Sequence, residues 1–350
     1  MPLEWSSSLP LLTADLPGTG GFIKTTPEDF EVEEIPAYEP SGEGDHLYLW
    51  VQKRGIGADY FVRQIAKRLG IPADDIGTAG LKDRHAVTRQ WISVPSGVEA
   101  RLGALDGDGI TLLKHARHVN KLKSGHLRGN RFRILIRDVV APDALPYLLD
   151  RLQTFGIPNF YGPQRFGRDG ETLQIGLELL HGKPVRVGGF LRRLGLSAVQ
   201  SALFNRYVAR RMADGLLRRV IAGDAMKKWP FGGIFNAVDL PAEQSRLESR
   251  EIIPTGPMFG KKMFAVMDEA AERERANLDE SGISPELFAS QGKLLMGTRR
   301  YAFVYADELS GETIPEGIRV TFTLPAGSYA TVLVRELTHS DGLASEDADE

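Results

Sequence analysis

Alternating apolar and polar residues at both ends of the chain constrain its fold more than any other feature. In segment 46–54, Leu47, Leu49 and Val51 share one side of a predicted strand, because successive side chains of a strand point to opposite faces. Segment 130–140 repeats the pattern with Phe132. Further strands are predicted at 29–34, 87–94, 110–116, 301–306, 317–324 and 328–337. Both ends of the chain are therefore expected to supply strands.

Helical spacing dominates the centre of the chain. Helices are predicted at 171–180, 197–220 and 268–277, with few clear strands among them. Two helices are also predicted nearer the N-terminus, one over 61–69 and one over 143–155, and a glycine follows each. This order predicts an α+β fold in which residues 1–155 and 304–340 form one sheet domain and residues 156–303 form an insertion.

The composition excludes several classes of protein. None of the 350 residues is cysteine, which excludes disulfides, thiolate nucleophiles and cysteine-based zinc sites. No apolar run approaches the ~20 residues of a membrane helix, and the first 13 residues lack the basic start of a secretory signal. We therefore expect a cytoplasmic protein without a membrane partner, and we expect a monomer because no coiled coil is evident.

Charge is distributed unevenly along the chain. The last ten residues, 341–350, carry five acids and no base, so the rest of this chain of net charge −3 carries +2. That segment is predicted to be a disordered acidic tail. Residues 114–133 contain seven Lys or Arg and no acid, and residues 186–219 contain eight Arg and one acid. Such local basic stretches favour a polyanionic partner, although a solvated arginine face is the common alternative.

Asp83 is the strongest candidate for a reacting group. It stands between Lys82 and Arg84, after a Gly-Thr-Ala-Gly stretch and before a predicted strand that carries Thr88 and Gln90. A carboxylate held by cations at such a junction can act as a nucleophile or general base. The competing interpretation is a surface turn with an ion pair.

Three further groups could complete a site. Lys24 could pair with a distant carboxylate, or it could be an exposed lysine before a turn. Asn130 and Phe132 share a strand face, where the ring could stack on an extruded base or simply pack in a core. Segment 159–167 is rich in aromatic residues, glycine and amides; it is either a turn or the lining of a cleft, with Arg165 as a phosphate ligand.

Taken together, four separated blocks resemble the TruD family of tRNA pseudouridine synthases. They are 21–34, 80–90, 159–167 and 324–331, and the resemblance spans roughly residues 20–336. The block Gly-Leu-Lys-Asp-Arg-His-Ala-Val-Thr-Arg-Gln at 80–90 is the most specific of them. The resemblance implies a catalytic domain with a mixed, mainly antiparallel sheet, into which a helix-rich TRUD domain is inserted at 156–303.

The resemblance also implies a reaction and a set of site residues. The reaction is isomerisation of uridine to pseudouridine in tRNA, at U13 of the D arm. Asp83 corresponds to the catalytic aspartate and Lys24 to its basic partner. The remaining implied residues either support the site or contact the uridine or RNA; they are Lys82 and Gln90, then Asn130, Phe132, Gln164, Arg165 and Tyr329.

This chemistry needs no cofactor and no metal, because bonds are rearranged without oxidation or hydrolysis. Whether Asp83 attacks C1′, attacks C6 or removes a sugar proton is left open by the sequence. Two other classes of function are also weighed. One is a non-catalytic RNA-binding module that uses the same basic stretches. The other is a metal-free hydrolase with Asp83 as base, for which no second carboxylate or histidine is placed.

Overall fold

Two sheets and eight α-helices make up most of the part of the chain that the structure describes. The structure is a computed structural model, and it describes residues 9–80 and 82–340. The tail predicted at 341–350 lies outside the described residues. The strands are β1 Phe30–Pro36, β2 His46–Arg54, β3 Gly77–Thr78, β4 Val87–Pro95, β5 Ile110–His118, β6 Leu127–Ile136, β7 Ile157–Pro158, β8 Ala225–Lys228, β9 Ile234–Asn236, β10 Ile252–Met258, β11 Thr298–Tyr301, β12 Phe303–Val304, β13 Asp307–Ile314 and β14 Gly317–Pro325. The helices are α1 Ala58–Leu69, α2 Leu145–Phe155, α3 Glu171–Leu180, α4 Gly189–Ala213, α5 Leu240–Glu248, α6 Asp268–Asp279, α7 Pro285–Ser290 and α8 Ala330–Thr338.

The larger sheet draws its strands from both ends of the chain. Its order is β13-β14-β6-β1-β4-β2-β5, with β3 added beside β4. Only the β1–β4 pairing is parallel among the pairings of the described strands. The predicted α+β class with a mixed, mainly antiparallel sheet is therefore confirmed. The strands predicted near 29–34, 46–54, 87–94, 110–116 and 317–324 all lie in this sheet.

One face of this sheet carries two separate hydrophobic cores. Toward β5, α1 packs on β2 and β4 through Phe61, Ile65 and Leu69. Toward β13, α2 and α8 pack on β1, β6 and β14. Each fully buried Leu, Ile or Phe contributes about 1.5–3 kcal/mol. Between the two cores lies a strip formed by β1, β4 and the end of β2. Polar residues occupy the core-facing positions of this strip.

Helix α1 ends where the sequence predicts. Gly70 has φ 61° and ψ 44°, in the left-handed region, and its N–H bonds to carbonyls of the last helical turn. Glycine adopts this conformation without a Cβ clash, so it stops the helix cleanly. Phe61 and Leu69 are buried at 1% and 0% exposure, which confirms the apolar stripe that predicts this helix.

Segment 328–337 is a helix rather than the predicted strand. Helix α8 buries seven of its nine residues, Glu336 and Thr338 among them, so its burial does not separate apolar from polar residues. Its three consecutive residues Val332, Leu333 and Val334 favour a strand locally. Packing against the sheet and α2 overrides that preference, since burying the helix from several sides stabilises it more than propensity does.

The centre of the chain contains a second sheet that the sequence analysis missed. Its order is β11-β10-β8-β9, and α4 packs on β10. Strands β8 and β9 are only four and three residues long. Strand β10 contains Pro254, Gly256 and Pro257, residues that argue against a strand. Helix α4 also begins and ends earlier than the predicted 197–220.

The division into residues 1–155 with 304–340 and residues 156–303 stays a prediction. None of the helices formed by residues 9–80 and 82–340 is both long enough and apolar enough to cross a membrane.

Candidate active site

A pocket of about 400 Å³ opens on the polar strip between the two cores. The sheet supplies its floor from β1 and β6, the Asp83 loop (residues 82–86) supplies one side, and the segment that leads into α8 supplies another. The lining residues are Phe30, Val32, Gly80, Lys82, Asp83, Leu127, Asn130, Phe132, Gln164, Gly327, Ser328, Tyr329, Ala330 and Thr331.

Lys24 brings a buried cation to Asp83. Its side chain is 4% exposed, whereas that of Asp83 is 39% exposed, and its Nζ lies 3.8 Å from Asp83 Oδ1. The same Nζ lies 4.7 Å from the centroid of the Phe30 ring. A buried ammonium is unfavourable unless an anion or an aromatic face compensates it. Asp83 is thus held beside a cation while part of its carboxylate faces solvent.

The backbone that carries Lys24 is strained. Lys24 has φ 64°, a left-handed value that costs a non-glycine residue about 1–2 kcal/mol. Just before it, Gly21 has φ 94°, and a Cβ there would lie 2.4 Å from the carbonyl oxygen of Arg137. Phe22 pairs with Arg137 at this point. Gly21 therefore allows the segment to approach the end of β6, which directs Lys24 toward the pocket.

Lys53 anchors the Asp83 loop from beneath. It is 1% exposed, and its Nζ donates to the carbonyl oxygens of Asp83 at 2.7 Å, Ile56 at 2.5 Å and Lys82 at 3.4 Å. Burial lowers the pKa of Lys53 to about 8, against the opposing attraction of Asp83. The position of Asp83 is therefore fixed by its main chain as well as by Lys24.

Lys82 connects the loop to the sheet. Its Nζ lies 3.1 Å from Glu34 Oε2 and donates to Asn130 Oδ1 at 2.5 Å. Burial raises the pKa of Glu34, and the neighbouring Lys82 opposes that rise. Because the ammonium donates to the Asn130 oxygen, the Asn130 amide nitrogen remains a donor on the pocket side. No hydrogen bond donated by that nitrogen is found among the described residues.

Aromatic rings form part of the pocket wall. Phe132 is 6% exposed, and its ring stacks on that of Phe322 with 5.2 Å between the centroids. The rings of Phe30 and Phe132 make a T-shaped contact with 6.1 Å between their centroids. Tyr329 lies at the residue before α8 and packs edge-on against Tyr161 at 5.7 Å. Rings from three separate parts of the chain therefore lie at one pocket.

The structure brings most of the predicted site residues together. Gln164 lines the pocket from the short 3₁₀ helix Pro163–Arg165, as do Lys82, Asp83, Asn130, Phe132 and Tyr329. Lys24 reaches the site through its contact with Asp83. Gln90 is 2% exposed and lies outside the lining, and its Oε1 has no hydrogen-bond partner among the described residues. Arg165 also lies outside the lining and contacts Tyr161 instead.

Comparison with known proteins identifies the family. The model of the family tRNA pseudouridine synthase D (TruD) matches residues 8–188 and 185–337. The chain belongs to the TruD family. A tRNA pseudouridine synthase D from Anaeromyxobacter dehalogenans is 46% identical over 349 residues, which cover 98% of this chain and 100% of that relative. The prediction of a tRNA pseudouridine synthase, an isomerase, is confirmed.

Other TruD proteins agree in sequence and in fold. A tRNA pseudouridine synthase D from Thermus thermophilus is 44% identical over 339 residues, which cover 95% of this chain and 93% of the relative. A protein from Methanosarcina mazei that is designated TruD has a crystal structure similar to this one. The TM-score is 0.76 and the sequence identity is 23%, over 96% of this chain and 98% of that one. At that identity the likeness shows the shared fold.

Sequence reasoning missed three charged residues at or beside this TruD site, which are Glu34, Lys53 and Arg300. Glu34 follows Phe30 and Val32 at spacing two, and Lys53 follows Val51 in the same way, so each continues the core-facing side of its strand. A charge on the apolar side of a strand has to be compensated, and that was the available signal. Nothing in the local pattern of Arg300 distinguishes it.

Proposed function

We propose that this protein isomerises uridine to pseudouridine in tRNA, at U13 of the D arm, with Asp83 as the catalytic aspartate acting on a flipped-out base. The observation that carries the proposal is the partly exposed Asp83 carboxylate at the pocket, 3.8 Å from the buried ammonium of Lys24. Strain at Lys24 supports it as well, because strained backbone concentrates at functional sites.

The reaction requires a held base and an ionised carboxylate. The C1′–N1 bond breaks, the uracil turns, and a C1′–C5 bond forms, while C5 loses a proton and N1 gains one. Asp83 could attack C1′, attack C6 or remove a sugar proton, and each route starts from its ionised carboxylate. Lys24 places a positive charge 3.8 Å from that carboxylate, and Lys53 holds the main chain of Asp83 in place.

The pocket supplies groups suited to a detached uracil. Flipping the base out of the RNA stack costs a few kcal/mol. Stacking of the flipped base on an aromatic side chain contributes about 1–3 kcal/mol of stabilisation per base. We assign Phe132 and Tyr329 to contacts with the ring of the base. The free amide N–H groups of Asn130 suit a uracil carbonyl oxygen, and we assign Gln164 to the same nucleotide because it lines the pocket. We assign Lys82, which donates to Asn130 Oδ1, and Gln90 to the support of these groups.

Ion pairs modify the basic surface expected from the sequence. Arg131 and Arg133 pair with acids of β1, and Arg206 and Arg210 share Glu280. These arginines are therefore partly neutralised. We propose that tRNA binds across both predicted domains, 1–155 with 304–340 and the insertion 156–303, and that the protein works as a cytoplasmic monomer.

A direct test is to incubate the protein with unmodified tRNA transcripts and to map pseudouridine chemically along the RNA. We expect pseudouridine at position 13, and modification elsewhere would overturn the assignment of U13. Tight tRNA binding by the wild type without any change of base would instead favour the non-catalytic RNA-binding module.

The variant Asp83→Asn tests the catalytic aspartate. We expect it to abolish pseudouridine formation while tRNA binding persists, because the amide cannot replace the carboxylate in any of the three routes. Asp143→Asn is the matched control, since Asp143 is exposed and outside the pocket lining. Appreciable turnover by folded Asp83→Asn would overturn the role of Asp83.

A further inference from the structure

Two arginines beside the pocket, Arg165 and Arg300, have no acidic partner among the residues that the structure describes. Arg300 lies on β11, and Arg165 ends the 3₁₀ helix that carries Gln164. Neither takes part in an ion pair within residues 9–80 and 82–340. Buried Arg211 and Arg299, by contrast, each pair with a buried carboxylate. The positive charges of Arg165 and Arg300 are thus uncompensated by acids of the described chain.

Neutral groups hold both guanidinium groups in place. That of Arg300 lies 4.1 Å from the centroid of the Tyr161 ring, and that of Arg165 lies 5.4 Å from it. Arg300 Nε donates to the carbonyl oxygen of Asn159 at 3.0 Å, and Nη2 donates to Asn159 Oδ1 at 2.6 Å. Arg165 Nε donates to Ser201 Oγ at 3.2 Å. These contacts orient two cations around one ring without neutralising them.

The remaining nitrogen of Arg300 is directed toward the pocket wall. Nη1 has no hydrogen-bond partner among the described residues, and it lies 3.6 Å from the place where a Cβ on Gly327 would stand. Gly327 and Tyr329 line the pocket. Burial lowers the pKa of Arg300, and the positive charge of Arg165 lowers it further. A guanidinium nevertheless stays protonated, so an anion bound here would relieve repulsion between like charges.

We propose that Arg300 and Arg165 form a subsite for a phosphodiester group of the tRNA backbone, adjacent to the flipped-out uridine. The inference rests on the proposed function for the identity of the RNA. Arginine suits this ligand, because its planar group presents paired donors that match phosphate oxygens. Gln164 connects the subsite to the pocket, since it lines the pocket and is the immediate neighbour of Arg165. The subsite fixes the backbone while the base occupies the pocket.

Salt dependence of tRNA binding distinguishes this role from a structural one. Arg300→Gln keeps hydrogen-bonding groups for Asn159 but removes the charge, whereas Arg300→Lys keeps the charge. We expect Arg300→Gln to weaken binding of an unmodified tRNA transcript about 5–20-fold and to reduce the slope of log Kd against log salt by about 0.7–1, since one phosphate contact is lost. Arg300→Lys should keep the slope. Arg319→Gln is the control, because Arg319 pairs with Glu312 on the surface.

Modified tRNAs combined with the protein variants, as in a double-mutant cycle, then locate the phosphate. Single linkages on either side of U13 are replaced by neutral methylphosphonates, and binding is measured with wild type, Arg300→Gln and Arg165→Gln. At the linkage that contacts the subsite, the methylphosphonate should weaken tRNA binding by the wild type. The same replacement should not weaken binding by the variants further, because they have already lost the contact. Arg165→Gln provides the same test if Arg300→Gln unfolds. An unchanged salt slope in both variants, or equal losses in variants and wild type at every linkage, would overturn the inference. Failure of the wild type to form pseudouridine would overturn the proposed function alone, since binding is measured independently.

Discussion

The ammonium of Lys53 offers a quantitative test of how the Asp83 loop is held. The perturbation is Lys53→Met, which keeps an unbranched side chain one atom shorter and removes the donor to the carbonyl oxygens of Asp83 and Ile56. Two carbonyls then lose their partner, at about 1–3 kcal/mol for each buried unsatisfied group. We also expect pseudouridine formation to slow about 100-fold, because a shift of about 1 Å in a reacting group has that effect.

The pH dependence of stability follows from the lowered pKa of Lys53. A fall from 10.5 to about 8 corresponds to about 3 kcal/mol against folding when the amine is charged in both states. Between those two pKa values the unfolded chain binds more protons than the folded chain, so the free energy of unfolding rises with pH. Relative to Lys53→Met, the wild type should gain about 2–3 kcal/mol between pH 7 and pH 10.

Urea unfolding of both proteins at pH 7, 8, 9 and 10 measures this difference directly. Subtracting the two curves removes the titration of all other groups that the substitution leaves unchanged. Lys293→Met is the control, because Lys293 is exposed and should show no such gain. Parallel stability curves for wild type and Lys53→Met would refute the reasoning, since they would mean that Lys53 has the same pKa in the folded and unfolded chains.

Two further substitutions test the groups around Asp83. Lys24→Met removes a cation 3.8 Å from Asp83. At an effective dielectric constant of 20 the attraction between the two charges is about 4 kcal/mol. Solvent screening at the partly exposed Asp83 reduces it to about 1–2 kcal/mol. We expect single-turnover pseudouridine formation to fall about 10-fold or more with tRNA affinity unchanged, and an unchanged rate would contradict the pairing. Asn130→Leu removes the amide donor and should lower kcat/KM about 10–100-fold, since a buried group of the base loses its partner. Equal kcat/KM for Asn130→Leu and wild type would show that the amide does not contact the base.

Local patterns predict those parts of the fold that local interactions decide. Helix α1 combines an apolar stripe with a glycine stop, and β2 carries Leu47, Leu49 and Val51 on one face, so both were predicted close to their observed ends. Helix α8 and strand β10 were not, because neighbouring elements bury them from several sides and this burial outweighs their local preferences. Propensity is a weak guide wherever tertiary packing decides the structure.

The candidate site shows the same limit more sharply. The block around Asp83 could be recognised because it is contiguous in the sequence. Contacts such as Lys24 with Asp83, or Arg300 with Asn159 across 141 positions, exist only after the sheets assemble. A sequence pattern shows charged residues but not the residues with which they pair. The surface is therefore less positive than the basic stretches predicted, because ion pairs neutralise some of their arginines.

The placement of β14 beside β6 has a consequence for synthesis on the ribosome. Strand β6, which carries Asn130 and Phe132, has β14 as its outer neighbour, and β14 begins only at Gly317. During translation β6 therefore stays an unpaired edge while some 180 intervening residues emerge, and unpaired edges promote misassociation. Tyr329 and the rest of the pocket wall follow later still. The pocket consequently cannot be complete until α8 has been made, so it matures late in synthesis.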